Sequence, residues 1–477
     1  MGSFQDVLNY WWPGNQYQVE GTYTAIGGSA AQMWASNADP GTGTFPTWDG
    51  QPHGLLDRLD YTLDTNPTID IVHMSLGGID MLAAWRNGMQ GTQQETDLFN
   101  SIYNNVQTVV NHILTRYPSR NMKILWVDYD FLNITETCTY GMSEFSWEAV
   151  YSATALGFTV GDFNQNAANN REINHAFGRC ALRKIDFANL VFRVDYIQNF
   201  GNIQWRAGYD NSIHIPFWNP GAVPAPGWAP SYSPLPGGNP NYGTPPVFMD
   251  TPEDKVDPIH LSDNGYKLLF DNCVAQYYAA WLTDTTAPNC SGITRLQASP
   301  TVAGSVQFRV TFGENVKGVD SSDFTIDASG VTGPAVTGVS GSGNTYTVTV
   351  STGTGDGTLS IDLVDNDSIY DIAYNPLSGS YTAGQAYSID KSTPTVSMTS
   401  SLLPGPTSQS PIPVTVAFSE PVTGFTLSDI QTTNGMASNL WGSGATYGFD
   451  LYPSDNGVVR ADIPAAAAVD PVGHPNS

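Results

Sequence analysis

The sequence is short of cationic residues, of cysteine and of long apolar runs, and each shortage removes a class of function. It carries 18 Lys and Arg against 44 Asp and Glu in 477 residues, a formal charge of -26. Phosphate backbones and anionic lipid surfaces are bound by clustered Lys and Arg. No such cluster occurs, so neither nucleic acid nor an anionic membrane is an expected partner. No stretch of about 18 apolar residues is present, so no membrane span is expected. The opening MGSFQDVLNYWWPG has neither the basic nor the apolar region of a signal peptide. Cys138, Cys180, Cys273 and Cys290 show no CxxC or metal-ligand spacing, which argues against a structural zinc site. They read either as two disulfides, Cys138 with Cys180 and Cys273 with Cys290, or as four buried thiols.

Apolar and aromatic residues are sufficient for folded cores, at 40% and 12% of the chain, and the length suggests roughly three domains. Composition changes near Thr285. Beyond it the only Lys and Arg are Arg295, Arg309, Lys317, Lys391 and Arg460, while Gly, Ser, Thr, Val and Asp dominate. This second region repeats itself. VTFGENVKGVDSSDFTI (310–326) matches VAFSEPVTGFTLSDIQT (416–432), and GSGNTYTVTV (341–350) matches GSGATYGFDL (442–451). Val306, Phe308, Val310 and Phe312, then Val414, Val416 and Phe418, alternate with polar residues, the period of half-buried strands. Units of about 100 residues built this way read as β-sandwiches. With F-x-E-x-V-x-G, S-D and a closing D-x-x-x-N-P, they resemble the bacterial Ig-like repeats of secreted and cell-surface proteins. The domains expected are 1–285, then Ig-like repeats over 286–393 and 394–477, the second incomplete because a last strand is still due at VDPVGHPNS.

The first region alternates strand and helix patterns. IDIVHMSL (69–76) precedes an amphipathic stretch from Asp97 to Tyr117, KILWVDYDF (123–131) follows, a helix-compatible segment (163–183) leads to NLVFRVDYI (189–197), and a last helix spans about 262–281. That order builds a parallel sheet covered on both faces. Between Pro216 and Pro246 lie ten prolines among Trp, Tyr and Phe residues. This is a loop or lid whose aromatics either stack on sugar rings or pin it to the domain.

Two D-x-x-H pairs occur. Asp70 and His73 fall within a strand, where residues three apart face opposite ways, so His73 reads as a core or sheet-face histidine. Asp257 and His260, in DPIHLSDNGYKLL, lie on a loop ahead of a helix capped by Ser262 or Asp263. An Asp accepting from one imidazole nitrogen leaves the other as a general base toward a hydroxyl nucleophile. The alternative is that the pair only caps the last helix.

At these residues a resemblance is specific. DPIHLSDNGY is similar to the last block of the SGNH (GDSL-type) hydrolases, AIGGSAAQM (25–33) to the block supplying an oxyanion-hole glycine, and GLLDRLDYTLDTNPTIDIVHMSLGGIDML (54–82) to the segment leading to the G-x-N-D block. The resemblance covers residues 1–285. It implies a flavodoxin-like three-layer α/β/α fold, His260 as base, Asp257 as its orienting carboxylate and the Gly28 amide as an oxyanion donor. It implies a carboxylic ester substrate, such as a small ester or an acylated carbohydrate, and no metal or organic cofactor. Ile79 stands where the family has its Asn donor. The family's first strand and its G-D-S nucleophile would precede Met1, so the chain is expected to be truncated, with Ser3 as the candidate replacement.

The acidic turn Asp365, Asp367 and Asp371 reads as a Ca²⁺ site or as a solvated turn. Together these readings imply an extracellular or cell-surface bacterial esterase, with cell-surface or polysaccharide contact through its repeats. The alternative is a non-catalytic adhesion or carbohydrate-binding protein with a degenerate hydrolase domain.

Overall fold

The structure, a computed structural model, describes residues 7–10, 13, 30–38, 53–86, 88–128, 172–197, 199–200, 202–207, 248–251, 260–402 and 405–477. The chain divides into two units, Met1–Asp284 and Thr285–Ser477.

In the first unit, β1 (Ile71–Met74), β2 (Lys123–Val127) and β3 (Val194–Ile197) form a parallel sheet in the order β1-β2-β3. The register sets Met74, Trp126 and Tyr196 on one face and His73, Leu125 and Asp195 on the other. Helices α1 (Ala31–Ala35), α2 (Leu55–Thr65), α3 (Gly78–Ala84), α4 (Gln93–Arg116) and α5 (Glu172–Leu190) accompany the first two strands and the entry to the third. The stripe Phe99, Ile102, Val106, Val109, Val110 and Ile113 of α4 buries itself in one core with Trp126, Phe187 and Tyr196. The second face is covered by the closing helix. After α6 (Asn202–Ala207), α7 (Asp263–Cys273) continues through a π-helical turn (Val274–Tyr278) into α8 (Ala279–Thr283). The rings of Phe270 and Tyr278 lie 5.8 and 6.3 Å from that of His73, and the Tyr277 hydroxyl donates to the Tyr196 carbonyl at 3.0 Å. With helices on both sides, Ile124, Leu125 and Trp126 are wholly buried, as central parallel strands require.

The helix expected over 163–183 is described from Glu172 and runs on to Leu190. It therefore takes the start of the run expected as strand 189–197, and only Val194–Ile197 is extended. The cause is packing: Phe187 meets Tyr103 and Trp126 edge-on at 5.4 and 6.1 Å, which keeps the last turn helical. Arg193, at φ +66°, then turns the chain into β3. The pairing of Cys273 with Cys290 is not made. Cys180, Cys273 and Cys290 are free, buried thiols; Cys273 ends α7 in the first unit, whereas Cys290 opens a strand of the second. Cys138 lies outside the described residues.

The second unit is antiparallel. Its first part contains β4 (Cys290–Arg295), β5 (Ser305–Phe312), β6 (Val316–Lys317), β7 (Phe324–Ser329), β8 (Ala335–Ser342), β9 (Thr345–Ser351), β10 (Gly357–Leu363), β11 (Tyr370–Asp371) and β12 (Tyr387–Ile389). One sheet has the order β4-β5-β9-β8 and another β12-β10-β7. Val306, Phe308, Val310 and Phe312 of β5 meet Leu359, Ile361 and Tyr387 in a shared core. The Tyr387 hydroxyl pins the connection before β5 by donating to the Gln307 carbonyl (2.8 Å) and accepting from the Gln297 amide (2.9 Å). The second part holds β13 (Val396–Thr399), β14 (Ile412–Val422), β15 (Gln431–Thr433), β16 (Gly435–Pro453) and β17 (Arg460–Asp462), paired as β13-β14-β16 and β15-β17. Val416, Phe418, Tyr447, Phe449 and Leu451 form its core.

Both parts reuse one loop. In the first, Asp371 accepts from the Asn375 backbone and side-chain amides, each at 2.9 Å. In the second, Asp470 accepts from the amides of Val472 (2.9 Å), Gly473 (2.7 Å) and His474 (2.8 Å) and meets His474 Nδ1 at 2.9 Å. Burial by itself would raise the Asp470 pKa, but these donors hold it below the usual carboxylate value. Asp470→Ala removes the acceptor of three part-buried loop amides, so we expect a loss of about 1–3 kcal/mol, read as faster hydrogen exchange in peptides from β14 and β16. Because the folded pKa is depressed, the wild-type contribution is present above the unfolded carboxyl pKa and fades as pH falls through the folded value.

Candidate active site

In open α/β sheets, sites assemble beyond the carboxyl ends of the strands. The end of β1 leads into Gly77, whose φ of +97° caps α3. A side chain there would be strained, and its Cβ would stand 2.7 Å from Ile102 Cγ2. In the GGID segment, Asp80 turns its carboxylate to the start of α1, accepting from the Ala31 amide at 2.7 Å and the Gln32 amide at 3.4 Å. The segment expected to carry the oxyanion donor thus tethers α1, which begins within the block that contains Gly28. Ile79 sits in the first turn of α3, half-buried, with no side-chain donor to offer.

His260 is exposed. Its carbonyl accepts from the Asp250 amide at 2.9 Å, next to an antiparallel bridge between Met249 and Leu261. Ser262 caps α7, accepting from the Gly265 amide at 3.3 Å while donating to the Phe248 carbonyl at 3.0 Å. Three contacts fix the direction of the helix. Asn272 Nδ2 donates to Asn199 Oδ1 just past β3 (2.9 Å), Tyr277 reaches the Tyr196 carbonyl within it, and Lys123 Nζ at the start of β2 donates to the Trp281 carbonyl (3.1 Å). The helix therefore runs antiparallel to the strands, and its amino end, with His260, lies toward the edge where they finish. Asp257, Gly28 and Ser3 lie outside the described residues.

The same edge holds a network that the sequence reading missed. Asp128, directly after β2, is 3% exposed and accepts hydrogen bonds from Lys184, 1% exposed, and from the Tyr196 hydroxyl. Asn199 Nδ2 donates to the Asp128 carbonyl at 2.9 Å. The Lys184 ammonium also lies 5.0 Å from the Trp126 ring centroid, adding a cation–π contact. Burial, then the Asp128 charge, raises the Tyr196 pKa well above its ordinary value, so the phenol keeps its proton and donates. Burial likewise pushes the Cys180 thiol up to about 12, leaving it protonated and unreactive. One signal could have found Lys184: it lies on the buried stripe Phe177, Cys180, Ala181 and Phe187 of α5. A cation there requires an anion opposite.

His73, on the other sheet face, meets the Tyr278 hydroxyl through Nδ1 at 2.7 Å, and burial lowers its pKa to about 4. Among the described residues of the second unit, Asp390, Asp470 and His474 bring potential ligand atoms within 4.8 Å of one another. Hydrogen bonds within the loop already satisfy Asp470. The Glu420 pKa is raised by burial, then by Asp390, Asp470 and Asp356, which marks this corner as dense in negative charge. Asp365 accepts from the Asp367 amide at 3.3 Å in an exposed turn, while the Asp371 carboxylate is engaged with Asn375.

Lys184→Met leaves the Asp128 carboxylate buried without its cation, and we expect a loss of about 3–5 kcal/mol in denaturant titrations, partly restored by adding Asp128→Asn. For His73 the folded pKa is depressed, so the unfolded chain binds protons first on acidification. Its contribution is full above about pH 6.5 and falls, by at most about 3 kcal/mol, as the pH drops toward 4. His73→Phe should flatten the stability–pH curve of the first unit over that window.

No protein-family model matches the chain, and no curated protein does. Among solved structures, the chain shows a faint likeness to FdeC, described as a novel, broadly conserved Escherichia coli adhesin eliciting protection against urinary tract infections. The identity is 12% and the TM-score 0.23, over 39% of this chain and 62% of that chain. A likeness at this level says nothing of the fold or activity of this protein. No helix among the described residues is long and apolar enough to cross a membrane.

Proposed function

We propose that the first unit is an ester hydrolase of the SGNH type with a flavodoxin-like α/β/α fold, carried at the cell surface or outside the cell on Ig-like repeats. The observation that supports this reading best is the placement of His260, at the head of a closing helix whose amino end lies toward the carboxyl edge of a parallel sheet. In the proposed reaction, His260 takes the proton of a serine hydroxyl as its oxygen bonds to the ester carbonyl carbon. Asp257 orients the imidazole, and the Gly28 amide donates to the oxyanion. Collapse of the tetrahedral adduct breaks the bond to the alcohol, which leaves with the proton from His260. Water then repeats the sequence on the acyl-enzyme, with His260 again as base, and releases the acid. The substrate is a small ester or an acylated carbohydrate.

One feature favours a second reading, a surface-adhesion or carbohydrate-binding protein whose first unit does no chemistry. Ile79 stands where the resemblance places a donor, and losing one such donor typically costs about 100- to 1000-fold in rate.

Hydrolysis of p-nitrophenyl acetate by the chain, by His260→Ala and by Ser3→Ala, each shown to be folded by circular dichroism, tests the hydrolase reading. With Ser3 as the nucleophile, the hydrolase reading expects turnover that falls by at least about 1000-fold in His260→Ala and in Ser3→Ala. It also expects Ile79→Asn to raise the rate. A folded chain without turnover removes Ser3 as the nucleophile, and turnover indifferent to His260 overturns the role of His260 as base.

A further inference from the structure

The two parts of the second unit share a sequence skeleton, so differences between them at equivalent positions are informative. In β8 and β9, Ser340 pairs with Thr347, Gly338 with Thr349 and Ala335 with Ser351. The facing residues Tyr346, Val348 and Val350 point into the core, so this outer surface carries only small and hydroxylated side chains. The corresponding segment of the second part is β16, whose halves lie against each other about Gly442 and Gly444, at φ +101° and +68°. Tyr447, Phe449 and Leu451 again fill the core. The outer positions differ: Trp441 stands for Ser340, Gly448 for Thr347, Asn439 for Gly338, Asp450 for Thr349 and Tyr452 for Ser351.

The changes are mutually fitted. The Trp441 ring packs onto Gly448, its Cζ2 only 2.1 Å from where a Cβ would stand, so no other residue at 448 admits the ring in this place. Trp441 nevertheless remains 53% exposed and Tyr452 40% exposed. Beside the ring, Asn439 Nδ2 donates to Asp450 Oδ2 at 3.0 Å. On the adjoining strand, Thr415 pairs with Gly448 and is exposed. An indole braced on glycine, with an amide–carboxylate pair and a hydroxyl around it, matches a pyranose, which offers an apolar C–H face and a rim of hydroxyls. A protein partner needs a broad apolar centre, and this face has hydroxyls and an amide–carboxylate pair around one ring. The net charge of -26 disfavours anionic glycans.

We propose that the outer face of β16, centred on Trp441, is a binding site for neutral polysaccharide. The site stands apart from the hydrolase reading and survives its failure. It is tested by electrophoresis of the full chain in native gels containing hydroxyethylcellulose, glucomannan or xylan, compared with gels lacking them. The expected result is retardation in at least one gel. Trp441→Ala should weaken it about tenfold, and so should Gly448→Thr, which restores the residue of the sister part and displaces the ring. His260→Ala should leave it unchanged. Migration unaffected by all three polymers overturns the proposal, as does retardation that Trp441→Ala leaves intact. Light scattering that shows a dimer broken by Trp441→Ala, without retardation, assigns the face to a second copy of the chain instead.

Discussion

A parallel sheet has no face that can be left to water, because its crossovers lay helices over it and its strands are apolar on both sides. Much of the first unit follows from that constraint. β2 is buried on either side, so residues flanking it are buried too, including those that must be charged. Lys184 reaches the sheet edge from α5 and Asp128 meets it from the end of β2. Neither ion is tolerable there alone. The pair, the Tyr196 hydroxyl and Asn199 together tie α5, β2 and β3 at the edge where the strands end. His260 approaches this edge from the opposite layer, on a helix whose course is fixed by contacts to β2, β3 and Asn199. The rigidity of any chemistry at the edge depends on these buried polar contacts more than on the loop that bears His260.

The second unit solves a different problem. Small antiparallel sandwiches have long connections, and each connection needs its buried polar backbone satisfied. Here buried side chains do so at fixed places. Tyr387 serves the connection ahead of β5, and Asp371 and Asp470 serve the equivalent loops of the two parts. These are hydrogen bonds rather than apolar contacts, which is why the loops keep their shape while the residues between the anchors vary.

Legibility in the sequence followed the same division. Elements held by periodic burial could be read directly: the stripe of α4, the alternation of β5 and β14, and the helix after Ser262. The duplicated motifs marked the second unit because the anchoring residues recur along with the core. What escaped was set by tertiary contact. α5 outlasts its pattern because Phe187 finds Trp126 and Tyr103, and no local signal announces partners so distant in the chain. Asp128 escaped because alone it looks like an ordinary charge at a strand end, and Lys184 because its place on the apolar stripe of α5 calls for an anion without naming it. Of the candidate site, the sequence placed His260 ahead of the closing helix, and it identified Ile79 as lacking a donor. It did not show that Asp80 is committed to the amides of α1.

The comparison of the two parts of the second unit separates two kinds of constraint within one chain. Core positions keep their character between them, Val348 to Phe449 and Tyr346 to Tyr447, because packing density admits few alternatives. Outer positions carry no such restriction, and in the first part they are Ser, Thr and Gly, which cost little at a solvated sheet face. Trp441 is costly there: it exposes apolar surface and requires glycine at 448, a residue that weakens a strand. Neither feature improves folding. A paired change that is neutral or unfavourable for stability, absent from the sister part and confined to the solvent face, is explained by what the face meets rather than by what the fold needs.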